Sequence, residues 1–228
     1  MKHIQKGPEP TVFTAWKGQA NAAWTPTWNT LQNPEKDTVK DALIAEQGGL
    51  CAYCCGRVTL GTSHIEHVAP RNASPGLALD YSNFVASCPG EPEADPGGTG
   101  APHCGHAKGN WSNPAQFVDP RDPSCQQAFT FTAIGEIRPD TAGPRPSAAD
   151  ETIKRLNLNG STLQRRRSAA LRVELDRLAD VLRARGALRR QDVDARVSRL
   201  RSLGRDGTFV PFQPALLDVL GQRAASLP

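Results

Sequence analysis

Four cysteines set the strongest constraint on how this chain can fold. Cys51-Ala52-Tyr53-Cys54 forms a Cys-x-x-Cys knuckle, answered much later by Cys88 and by His103-Cys104. A knuckle closed by distant Cys or His residues is the spacing with which a small fold holds a structural Zn2+, four-coordinate and with no position left for water. Thiolates from Cys51, Cys54, Cys88 and Cys104 complete such a set, with His103 as the alternative to its neighbour Cys104. A metal staple is needed only where local packing is thin. This one brackets Glu66, His67 and Asn83, the side-chain types of hydrolytic chemistry. The metal is therefore expected to be scaffold, and the bracketed residues the site. Cys55 and Cys125 read as ordinary thiols, and His64 as a surface residue left without a role.

Six cysteines in 228 residues, with no basic start leading into an apolar segment, fit metal ligands and free thiols better than a disulfide framework. No apolar run approaches the roughly 18 residues of a membrane helix. The expectation is a cytoplasmic protein with no membrane partner. Hydrophobic residues make up 38% of the chain, enough for a modest core. Residues 1–150 carry 11 Lys and Arg against 15 Asp and Glu, whereas residues 151–228 carry 16 against 8. A basic tail behind a metal-rich body suggests a polyanion or an acidic protein as partner, or else a solvated helix surface.

The chain divides by composition into three stretches. Residues 1–33, with Pro8, Pro10, Pro26 and Trp16, Trp24, Trp28, read as an irregular arm laid over a neighbouring surface. Residues 34–138 read as the zinc-bound core. Within them, Val39 and Leu43 predict a helix over residues 35–46, ended by Gly48 and Gly49. Residues 57–60 and 64–68 alternate and predict a short hairpin, and residues 128–137 predict a second one turning at Gly135. Residues 89–102 are rich in Pro, Gly, Glu and Asp and read as a flexible insertion. Residues 104–111 predict a short helix, so the metal-rich unit reads strand, strand, helix. After a Pro-rich joint, residues 147–228 predict an Arg-rich helical region, with Leu171, Leu175, Leu178 and Leu182 on one face and Val193, Val197 and Leu200 repeating the pattern. The fold class expected is α+β.

On a strand Glu66 and His67 point to opposite faces. On a helix His106 and Asn110, four apart, share a face. A carboxylate, an imidazole and a carboxamide converging on one ion would leave open positions for phosphate and water. Glu66 as oxygen donor favours Mg2+ or Mn2+, while His106 leaves room for nickel or zinc.

The order Cys-x-x-Cys, Glu66-His67-Val68-Ala69-Pro70, Asn83-Phe84, Cys88, then Cys104-Gly105-His106-Ala107-Lys108-Gly109 resembles the HNH endonucleases, which share the ββα-metal fold. The opening residues 1–10, Leu50-Cys51-Ala52-Tyr53-Cys54, Ile65-Glu66-His67 and Leu156-Asn157-Leu158-Asn159 are similar to the HNH subunit of Septu and retron-linked anti-phage systems. The resemblance covers roughly residues 1–170. It implies that His67 is the general base activating water, that Glu66 and His106 bind the catalytic ion with Asn110 as a further ligand, and that Asn83 orients His67 by a hydrogen bond. Lys108 would contact phosphate or cap a helix. Many members carry His or Asn directly after the last zinc cysteine; Gly105 stands there in this chain, and the third catalytic residue shifts to His106. The resemblance further implies a nucleic-acid substrate, DNA before RNA, and an ATPase subunit as partner, since no Gly-rich phosphate loop ending in Lys-Ser or Lys-Thr occurs in the sequence. The Leu171 stripe and the surface around Arg165, Arg166 and Arg167 would dock that partner or hold nucleic acid. The competing expectation is a zinc-stabilised nucleic-acid-binding module without catalysis.

Overall fold

A proline that promises irregular chain instead launches a helix. In the computed structural model, which describes residues 1–90 and 101–227, Pro10 caps helix α1 (Thr11–Lys17) and its carbonyl accepts the Phe13 and Thr14 N–H groups. Proline suits a helix start, where its missing N–H costs nothing. The arm is therefore partly helical, a correction to the expectation. Phe13 and Trp16, three apart, share a face and are buried. They meet Val39 and Leu43 of helix α2 (Glu35–Glu46), together with Leu31, Ile65, Tyr81 and Phe84, in one of two hydrophobic clusters. Glu46 at the end of α2 ties the arm down, accepting from Lys6 Nζ at 2.6 Å, the Gly7 N–H at 2.9 Å and the Tyr81 hydroxyl at 2.8 Å.

The first predicted hairpin does not form. Arg57 bridges to Leu50 and closes the knuckle, while Leu60–Thr62 winds into a 3-10 turn latched by Thr59 and Thr62. Strand β1 (His64–His67) pairs instead with strand β2 (Phe84–Ser87), antiparallel, with His64 opposite Ser87 and Glu66 opposite Val85. The outer edge of β2 is used as well. The buried Gln47 amide accepts the Ala86 N–H at 2.7 Å and donates to the Ala86 carbonyl at 2.8 Å, and the Ala52 N–H adds a second donor to that carbonyl. Of the predicted flexible insertion, residues 91–100 lie outside the described residues. Helix α3 (Cys104–Lys108) is shorter than expected, because Gly109 turns the chain out of the helix at φ +50°.

Strands β3 (Phe129–Phe131) and β4 (Ile137–Pro139) make the second hairpin where the alternation predicts it. Helices α4 (Pro146–Arg155), α5 (Ser161–Arg185), α6 (Arg190–Arg201) and α7 (Gln213–Ala225) follow. The stripe on α5 is mostly core: Leu171 and Leu178 are buried, and Leu182 is exposed. Arg167 is buried as well. Its guanidinium donates to the carbonyls of Gly135 at 2.7 Å and Leu158 at 2.6 Å and reaches Asn159 Oδ1 at 3.3 Å, so it is no part of a basic surface. A second cluster runs from Met1 and the knuckle cysteines through Phe129 and Leu156 to Leu171, Phe212 and Leu216. No helix among the described residues is long and apolar enough to cross a membrane.

Candidate metal centre and active-site cleft

The four cysteines meet. Their Sγ atoms lie within 4.8 Å of one another, and all four are buried. Ligands at about 2.3 Å from a tetrahedral ion stand about 3.8 Å apart, and Cys54 Sγ lies 3.9 Å from Cys88 Sγ. The set fits Zn2+. Backbone N–H groups support the sulfurs, Gly56 donating to Cys54 at 3.4 Å and Cys88 to Cys51 at 3.3 Å. His103 does not replace Cys104: its Nδ1 sits 3.3 Å from Cys104 Sγ and 3.7 Å from Cys88 Sγ, beside the quartet. Cys55 and Cys125 are buried outside the quartet. Burial pushes the Cys55 thiol up to about 11 and that of Cys125 up to about 12, which keeps both inert.

The quartet joins the elements that carry the polar residues. Cys88 follows β2 and Cys104 opens α3, so the cluster pins α3 against the β1–β2 pair. His67 closes β1. Its ring is buried between Trp28 of the arm and Phe84 of β2, at centroid distances of 4.4 and 4.9 Å. Nε2 lies 3.1 Å from the Ala78 carbonyl oxygen, which can only accept. Nε2 must therefore carry the proton, leaving Nδ1 as the free acceptor. Burial holds the imidazole below its ordinary range; the Ala78 hydrogen bond opposes this and Arg71 reinforces it.

Asn83 has a different role from the one expected. Its side chain accepts the Ala69 N–H at 2.8 Å and donates to the carbonyls of Ala69 and Leu77, and the structure gives it no bond to His67. It staples the loop that presents the Ala78 carbonyl, so it acts on His67 at one remove. Lys108 is also corrected. Its side chain is 1% exposed, and Nζ donates to Glu66 Oε1 and to the His67 carbonyl, both at 3.0 Å. It neither caps a helix nor faces solvent, and instead locks the end of β1.

With Oε1 held by Lys108, Glu66 turns Oε2 toward His64, whose Nε2 is 3.6 Å away. The His64 ring stacks on that of His106, with centroids 4.9 Å apart and planes 8° from parallel. Gly105 explains its own presence at this point. A Cβ there would stand 2.8 Å from both Glu66 Oε2 and His64 Nε2, so only glycine lets α3 approach β1 this closely. Asn110 lies past Gly109 and is exposed; it does not share a helical face with His106. It nevertheless borders the same cleft of about 250 Å³, which Glu66, His67, Arg71 and His106 also line. Arg71 sits at this cleft with its guanidinium over the Trp28 ring, 5.3 Å from the centroid. The sequence reading passed over Arg71, left His64 without a role and put Lys108 on phosphate or at a helix cap. Only His64 carried a signal, its spacing of two from Glu66 on a strand.

No family model matches the chain. Over 189 residues it is 32% identical to the HNH endonuclease assigned to retron Vc95 of Vibrio cholerae serotype O1 biovar El Tor, an alignment covering 81% of this chain and 85% of that protein.

Proposed function

The chain belongs to the HNH endonucleases, and on that premise we propose that it hydrolyses phosphodiester bonds in DNA, within the cytoplasm, as the nuclease of a retron- or Septu-type anti-phage system controlled by an ATPase partner. In this reading β1, β2 and α3 are the ββα-metal unit, and Zn2+ on Cys51, Cys54, Cys88 and Cys104 is its structural staple. The observation that carries the proposal is the single cleft where a tautomer-fixed imidazole borders a set of carboxylate and imidazole donors.

Each residue then has a task. His67 Nδ1 takes the proton of the attacking water, and the Ala78 carbonyl stabilises the imidazolium that results. Glu66 and His106, with Asn110 at the rim, are the residues to hold a divalent ion. When bound there, Mg2+ or Mn2+ supplies positive charge against the charge that develops on the phosphate and the leaving oxygen. Lys108 fixes Glu66 and the His67 main chain in register with each other. Arg71, exposed beside the cleft, contacts a phosphate. The retron name of the relative supports the defence assignment. The proposed ATPase would supply control from outside the chain.

The test is cleavage of labelled plasmid DNA and of total RNA by the wild type and by His67→Gln, with Mg2+ or Mn2+ and with a neighbouring ATPase present if one is encoded. His67→Gln keeps a donor for the Ala78 carbonyl. It is expected to lose roughly 100-fold or more of the rate while retaining zinc. Equal cleavage by both would remove His67 as the base, and binding without cleavage by either would leave a non-catalytic module.

A further inference from the structure

We propose that a groove between α5, α6 and the loop before α7 is a docking site for an acidic, amphipathic helix of a partner protein. The inference stands apart from the nuclease reading, because the groove lies on the tail and shares no residue with the cleft at β1 and α3.

Apolar content marks the place. The groove holds about 630 Å³, more than twice the cleft. Seven large hydrophobic side chains are exposed among the described residues, and three of them meet here. They are Val173 of α5 and Leu203 and Val210 of the loop, 51%, 52% and 40% exposed. Leu200, Phe212 and Leu216 form the buried floor beneath them. Apolar side chains scattered singly over a surface need no partner, whereas a cluster around one concavity marks a place where another apolar surface is received.

The walls are preformed. Buried Glu174 accepts from Arg177 and, at 2.6 Å, from Arg196, which joins α5 to α6 and fixes both guanidinium groups before anything binds. The loop is held from the other side. The Phe209 N–H donates to the Gly48 carbonyl at 2.8 Å, Arg57 Nη2 to the Phe209 carbonyl at 2.6 Å, and the Phe212 N–H to the Cys55 carbonyl at 2.7 Å. A groove held open in this way binds with little further ordering.

Charge selects the occupant. One carboxylate against two guanidinium groups leaves the wall positive. Exposed Arg199, three residues from Arg196 on the same face of α6, adds a cation for which the described residues supply no carboxylate. Apolar anchors flanked by Asp or Glu match this surface. Helices and a loop build the walls, with no strand edge for an extended peptide to pair with, so the occupant enters as a helix. Nucleic acid would satisfy the arginines through its phosphates but offers nothing to the three aliphatic side chains. A second copy of the chain would set the same basic wall against itself.

The experiment is fluorescence anisotropy of a labelled helical peptide with leucines at i, i+4 and i+7 flanked by glutamates, titrated with the zinc-loaded full-length protein. Beside it run the same peptide with lysines for glutamates, the same peptide with serines for leucines, and a duplex oligonucleotide. The acidic apolar peptide is expected to bind saturably, one per chain, and to weaken as salt rises. Arg199→Glu and Val173→Glu, both at exposed positions, are each expected to weaken it at least about 10-fold, with zinc and cooperative melting retained. Equal binding of the lysine or serine peptide, or no binding of the acidic one up to about 1 mM, would overturn the proposal. An oligonucleotide that loses affinity in Arg199→Glu while the acidic peptide does not bind would give the groove to nucleic acid. A dimer in sedimentation that Val173→Glu dissolves would give it to a second copy, and either result overturns the assignment.

Discussion

His67 acts as a base only while it is neutral, and its surroundings decide where that holds. Burial, aided by Arg71, depresses its pKa, and the Ala78 carbonyl recovers only part of the shift. Activity is lost as pH falls through the lowered value, so the acid limb of kcat/KM is expected below the ordinary histidine value of about 6.5. A bound cation pushes the limb further in the same direction. The unfolded chain, with its ordinary pKa, takes up the proton first, so His67 also makes folding less favourable as pH drops below about 6.5. A pH–rate profile with its acid limb at or above that value would assign the limb to another group. At this scale much of the site was legible. The Cys quartet gathers as its spacing predicts, and Glu66, His67 and His106 border one cleft, where their roles are those proposed above. Hydrogen-bond partners were not legible. Asn83 was expected on His67 but serves Ala69 and Leu77, and Lys108 was expected on phosphate or at a helix cap yet is buried against Glu66, because the partner of a polar side chain is set by the tertiary approach of segments far apart in sequence.

Among the elements, the junction between α5 and the β3–β4 hairpin depends most on a single side chain. Arg167 enters from α5 and satisfies the Gly135 and Leu158 carbonyls, and Gly135, at φ +82°, leaves it room. A Cβ at Gly135 would come within 2.4 Å of the Gln164 carbonyl oxygen. Arg167→Met fills similar volume but abandons those carbonyls in the interior, and is expected to cost about 2–4 kcal/mol in urea unfolding. A loss under about 0.5 kcal/mol would mean that water replaces the guanidinium there. Periodicity found the elements better than it found their pairings. The face of β1 was readable; its partner was not, because two β-rich runs adjacent in sequence look like a hairpin until the knuckle claims one of them. The helix ending at Lys108 was overextended for a related reason, since His106 and Asn110 have helical spacing but Gly109 breaks the turn between them.

The molecule as a whole binds its parts more closely than their composition suggests. The compositional break before residue 147 marks no break in the core, for Leu171, Phe212 and Leu216 join the same cluster as Cys51, Cys54 and Phe129. A chain ending at residue 159 is therefore expected to lose cooperative thermal unfolding and to bind an apolar dye. Cooperative melting with zinc retained would show instead that the tail is separable. Docking of a partner by the tail is better probed at exposed arginines than by truncation. Several tail arginines are already engaged, the half-buried Arg196 with Glu174 at 2.6 Å and the exposed Arg185 with Asp192 at 2.8 Å, which spends part of the net charge that the composition advertises.

The Gln47 amide beside β2 bears on how the protein behaves in a crowded solution. A sheet of two strands has two edges, and each is a template on which another chain could add a strand. At Ala86 the side chain of Gln47 plays the part of a peptide group, taking both the N–H and the carbonyl that an incoming strand would need. At Ala86 the strand that leads into the cysteine quartet is thereby closed to intermolecular pairing by the Gln47 side chain, with the Ala52 N–H beside it, and no third strand is added.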